Sequence, residues 1–125
     1  MHANPGDLFV KKAPASTVDV SARAVAGVFG HDEPDLRVIG MRHGEKLHET
    51  LLSREEFAKA EDRGDFFRVP LDTRGLQYEK YFTEGEDEIS HAEDYASDNT
   101  HQLDLAATQA LLRTIPEVQD ELSRA

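Results

Sequence analysis

With 125 residues, 38% hydrophobic content, no cysteine and a formal net charge of −11, the chain has the size of one domain with a modest core. It has no disulfide framework, no thiolate metal site and no apolar run near the ~20 residues a membrane span needs. Residues 1–63 carry eleven acidic and nine basic side chains, residues 64–125 fourteen and five, and eight carboxylates fall between Glu84 and Asp104 without one Lys or Arg. Counterion release from a phosphate backbone requires clustered cations, so nucleic acid is excluded as a partner. The absence of a signal-peptide pattern and of cysteine makes the cytoplasm the expected location.

In chain order, residues 7–12 read as a strand ended by Pro14. Ser16 followed by Asp19 is a variant capping box for a helix whose buried stripe is expected to be Val18, Ala22, Val25, Ala26 and Phe29, with Gly30 as its left-handed C-cap. Residues 31–35 form a loop, and residues 36–40 a second short strand. The order strand, helix, strand favours an α/β arrangement with parallel neighbours. A helix is expected from about Glu45 with Leu47, Leu51 and Leu52 inward. Ser53 caps another over residues 54–61, with Glu55 and Glu56 in its first turn and an end at Arg63-Gly64. Residues 66–70 form a third strand halted by Pro70.

Residues 71–100 lack periodicity and read as a long polar loop with short ordered pieces, punctuated by Tyr78, Tyr81, Phe82 and Tyr95. Such a loop in a small domain contacts substrate or partners or is disordered. Asp104 then caps a helix with Leu105, Thr108, Leu111 and Leu112 on one side. Pro116, in a first-turn position, opens a last helix carrying Val118 and Leu122.

The residues that carry chemistry cluster at Arg42-His43-Gly44-Glu45-Lys46. A guanidinium can grip two phosphate oxygens at once, Gly44 permits close backbone approach, and a carboxylate accepts hydrogen bonds from vicinal hydroxyls. That set suits a nucleotide diphosphate or its ribose, with His43 and Lys46 as weaker contributors. The same residues also describe a surface Arg–Glu pair beside a turn glycine. His43 and His48, five positions apart, lie roughly 140° apart around a helix and make no metal pair. Neither a nucleophile elbow nor a Gly-x-Gly-x-x-Gly fingerprint is present, and no Tyr is followed four residues later by Lys, so a nicotinamide-binding Rossmann half is absent.

Four stretches in order, Gly6-Asp7-Leu8-Phe9-Val10 with Lys12-Ala13-Pro14-Ala15, Gly40 with Arg42-His43-Gly44-Glu45-Lys46, Asp94-Tyr95 with Ser97 and Asn99-Thr100, and Val118-Gln119 with Glu121-Leu122, resemble the C-terminal portion of the CapD/CapE-type polysaccharide biosynthesis family. These are UDP-N-acetylglucosamine 4,6-dehydratases and 5-epimerases within the extended short-chain dehydrogenase/reductase superfamily. The resemblance implies a small C-terminal domain over residues 1–125 that holds the UDP-sugar. Arg42 would meet the diphosphate and Glu45 a ribose hydroxyl, with no catalytic residue in this chain. It implies an N-terminal Rossmann partner domain holding NAD or NADP, no cofactor bound by this chain, and oligomer contacts through residues 71–100. The isolated chain is expected to be inactive; the alternative is a freestanding nucleotide-sugar-binding or oligomerisation module that works with a separate Rossmann partner.

Overall fold

The computed structural model describes residues 3–71 and 93–125. Its elements are β1 (Leu8–Lys11), α1 (Val18–Val28), β2 (Thr50–Leu52), α2 (Arg54–Lys59), β3 (Glu61–Asp62), β4 (Phe66–Val69), β5 (Tyr95–Ala96), α3 (Leu105–Leu112) and α4 (Pro116–Arg124). The fold is thus α/β, with short strands and flanking helices. Contacts divide the chain into two compact units, each built from two segments: Met1–Ala13 with His48–Thr100, and Pro14–Leu47 with His101–Ala125.

The first unit holds both sheets. One has the order β1-β4-β3 and the other pairs β2 with β5. Every strand pair among the described residues is antiparallel, with Leu8 opposite Val69 and Lys11 opposite Phe66 in the β1–β4 ladder. The expected parallel neighbours do not form. The only parallel contact among the described residues is an isolated bridge between Ala15 and Gln102 in the second unit. Residues 36–40, the expected neighbour of the first strand, form no strand, and β1 pairs with the distant β4 instead. Gly64, at φ +81°, turns β3 back onto β4, and the Gly64 N–H donates to Asp62 Oδ1 at 2.9 Å. A tight hairpin joins antiparallel strands only.

Leu52 is 1% exposed. The rings of Phe57, Phe67 and Tyr95 meet pairwise at centroid distances of 5.1–5.4 Å, two of the three pairs edge to face. The Tyr95 hydroxyl pairs with Thr100 Oγ1 at 2.6 Å, and that hydroxyl donates to the Ala13 carbonyl at 2.7 Å, so the phenol is buried with a partner. Arg68 grips Asp7 through Nε and Nη2 at 2.7 and 3.1 Å and Glu61 through Nη1 at 2.8 Å. The Asp7 side chain is 2% exposed. Hydrogen bonds from Arg68, then from the Asn4 N–H, hold its carboxyl below the ordinary 3.8.

Two expectations for residues 45–61 differ from what forms. No helix runs through Leu47, Leu51 and Leu52: Leu47 is 72% exposed, and Thr50–Leu52 is a strand paired with β5. Ser53 begins α2 directly, with a complete capping box to Glu56, leaving no room for a preceding helix to end. That helix also stops at Lys59, because Glu61 and Asp62 are taken into the ladder with β4.

In the second unit α1 packs on α3, and α1 buries Ala24 and Val28. The expected stripe is not the buried face: Val18 is 87% exposed, Val25 and Phe29 are also exposed, and Ala22 and Ala26 are half-buried. The helix VDVSARAVAGV is apolar on two sides, and its neighbour selects the side carrying small residues. A Cβ added at Gly27 would collide with the Gln109 side chain of α3, so that face permits the closest approach. Thr17 caps α1, accepting from the Val20 N–H at 3.1 Å, while Ser16 is engaged with Ser21 at 2.6 Å. Gly30 has φ +87°, as expected of a C-cap glycine. On α3 the buried member of the expected side is Thr108, whose hydroxyl donates to the Asp104 carbonyl; Leu105 and Leu111 remain exposed. Residues 36–40 form no strand.

Candidate functional site

Residues 42–45 form a single tight turn. The Glu45 N–H donates to the Arg42 carbonyl at 3.2 Å, and Gly44 sits at φ +86° in the third position, where a type II turn requires it. The carboxylate of Glu45 folds back: Oε2 accepts from the Arg42 N–H at 2.8 Å. Glu45 is therefore a clamp on the backbone of Arg42 rather than an ion-pair partner of its guanidinium. Nothing lies within 4 Å of a Cβ built on Gly44, so its glycine is required by conformation and not by close approach.

Arg42, His43, Glu45 and Lys46 are all exposed. The side chains of Arg42, His43 and Lys46 make no hydrogen bond or ion pair with another described residue. The turn thus presents a cation and an ammonium to solvent, with one carboxylate oxygen already committed. Arg42 follows directly on a groove of about 460 Å³ formed by Val18 and Ala22 of α1 and residues 36–41. Arg37 lines that groove; Arg42 does not. Among the described residues no three His, Cys, Asp or Glu side chains gather into a metal site. His48 instead approaches Asp98, Nε2 to Oδ2, at 3.9 Å.

The Asp94–Thr100 stretch does work that its residue types alone did not disclose. Asp94 Oδ1 accepts from the Arg54 N–H at the start of α2, and Asn99 closes a turn by donating to the Asp94 carbonyl and accepting from the Ala96 N–H. Ser97 Oγ accepts from the Glu49 N–H, and the Ser97 N–H donates to the Glu49 carbonyl. These polar side chains fix β5 against β2. Their signal in sequence is an Asx-turn pattern, Asp and Asn flanking an aromatic. The expectations for Tyr78, Tyr81, Phe82 and half of the acidic run lie outside the described residues, as does the bulk of the 71–100 region expected to make oligomer contacts.

Residues 1–71 match the family described as polysaccharide biosynthesis protein, and residues 72–119 match the one described as polysaccharide biosynthesis protein C-terminal. The chain belongs to this polysaccharide biosynthesis family. Its relatives include proteins named UDP-glucose 4-epimerase from Rickettsia rickettsii (strain Sheila Smith) and Rickettsia canadensis (strain McKiel), each 49% identical over 124 residues. A third, from Rickettsia akari (strain Hartford), is 47% identical. Each alignment covers 99% of this chain and 36% of the relative, so the chain spans about a third of their length. No helix among the described residues is long and apolar enough to cross a membrane.

Proposed function

We propose that this chain is the substrate-holding portion of a larger nucleotide-sugar-modifying enzyme of surface polysaccharide biosynthesis, and that Arg42 grips the diphosphate of a UDP-sugar. What carries the reading is the Arg42 guanidinium: exposed, unpaired among the described residues, and set on a turn that Glu45 clamps from behind. A planar donor fork held on a fixed backbone loses little freedom when two phosphoryl oxygens dock on it. Glu45 Oε1 stays free among the described residues to accept from a ribose hydroxyl, while Lys46 adds positive potential. The relatives named for UDP-glucose support UDP as the shared handle. UDP-N-acetylglucosamine is the substrate we favour for the whole protein, through 4,6-dehydration or 5-epimerisation.

The residues present do not fit a nicotinamide dinucleotide. The strands are antiparallel, and no glycine fingerprint follows any of them. NAD or NADP is therefore assigned to the part of the larger protein outside this chain, and the chain alone is inactive. Calorimetric titration of UDP into the chain and into Arg42→Ala tests the assignment. Loss of a bidentate charged contact is expected to weaken UDP about 10- to 100-fold. Arg42→Lys, which keeps the charge without the fork, should recover only part of it. Equal affinity in all three proteins would remove Arg42 from the site.

A further inference from the structure

Residues 36–41 belong to no helix or strand, with Gly40 at φ +78°, and are apolar apart from Arg37, yet their backbone N–H and C=O groups bond to no described residue. Val38 is 93% exposed and Ile39 71%, so neighbours that would point to opposite faces of a strand are both bare. A strand apolar on both faces is the pattern of one built to be covered on both. Left as an edge, it would be an aggregation site, and it carries neither the proline nor the run of charges that protect such edges.

We infer that residues 36–41 are a strand awaiting its partner, and that the occupant is a strand edge from the part of the larger enzyme this chain does not span. The inference rests on the proposed membership in a larger nucleotide-sugar enzyme. Three observations select this occupant. The unpaired backbone row calls for the N–H and C=O groups of another strand, as in strand addition. Nearly two thirds of the relatives' length lies outside the match and is available to supply such an edge. A second copy of the chain would bring a further net charge of −11 against the first, which opposes self-pairing. The consequence is functional, because residue 41 leads straight into Arg42: pairing of the strand fixes the base of the anion-holding turn.

Hydrogen exchange on the full 125-residue chain, alone and substituted for the matching 124 residues of the Rickettsia rickettsii relative, tests this. Alone, the amides of Val38, Ile39 and Met41 should exchange as in an unstructured peptide; in the chimera they should slow at least ~100-fold. Val38→Asp should leave the Tm of the free chain unchanged and lower that of the chimera. Slow exchange already in the free chain overturns the inference. Sedimentation then tells whether a second copy (dimer) or residues 72–92 (monomer) cover the segment. Fast exchange in a chimera whose Ala24 and Val28 amides are protected also overturns it. A further measurement needs no chimera: free exchange of the aligned stretch in the intact relative would be equally fatal. UDP titration of the chimera separates the two readings. Protected 36–41 amides with an Arg42→Ala variant that binds UDP normally defeats only the UDP assignment, and the reverse defeats only the docking.

Discussion

Under the proposed UDP assignment, Arg42 and Gly44 divide one task between charge and conformation. The guanidinium offers the donors, and the glycine, at φ +86°, sets the turn that aims them. An L side chain in that region costs roughly 1–2 kcal/mol, and because the space around Gly44 is open, strain is the whole of the penalty. Gly44→Ala is therefore expected to lower stability by about 1 kcal/mol and to weaken UDP binding without touching the ligand, as urea unfolding beside calorimetry would show. A fully stable Gly44→Ala variant with normal UDP affinity would mean that the turn does not matter. The cluster of site candidates was legible in the sequence because its residues are contiguous. What Glu45 does was not legible: whether a carboxylate three residues on pairs with the guanidinium or with the backbone depends on the turn type.

At the level of elements, the Ser53 capping box shows local chemistry overriding apolar periodicity. Leu47, Leu51 and Leu52 invite a helix, but Ser53 and Glu56 satisfy each other's backbone donors and start one immediately afterwards. Ser53→Ala should cost about 1 kcal/mol in a denaturant titration, with more of the loss recovered by Asn than by Val. Leu52→Ala removes the most deeply buried large side chain of the first unit and should cost about 2–5 kcal/mol. Caps and hairpin glycines are short-range features, and Thr17, Ser53, Asp104, Gly30 and Pro116 all stand at or next to element ends. The face of α1 was misread because an apolar helix has two candidate stripes, and only the apposition of Gly27 and Gln109 chooses between them. Residues 36–40 carry strand composition, but a strand exists only with a partner.

For the molecule as a whole, pH dependence follows from three carboxylates below their ordinary values. Asp7 is held down by Arg68, Glu61 by Arg68 and Arg63, and Asp62 by Lys12 and the Gly64 N–H. Their native values lie under the ordinary 3.8 for Asp and 4.5 for Glu, so their stabilisation is complete above those values and fades as pH falls through the native ones. Acidification also relieves the self-repulsion of a chain of net charge −11, which acts in the opposite sense. Comparison with Asp7→Asn isolates the first effect: the variant should be less stable at neutral pH and lose less on going below pH 4.5. Parallel curves for the two proteins would show that the Asp7–Arg68 pair does not govern acid stability.

Composition and short-range motifs by themselves determined that the chain is a small acidic α/β piece without a dinucleotide fingerprint, where most of its elements begin and end, and which turn presents its cations. They could do so because caps, turn glycines and contiguous charged residues act within a few positions of chain. Tertiary structure alone decided the antiparallel pairing, the buried face of α1, the pairing of Thr50–Leu52 with Tyr95–Ala96 and the isolation of residues 36–41. Each of these depends on which distant segment arrives alongside, and a backbone hydrogen bond or an apolar contact has no direction until that neighbour is in place.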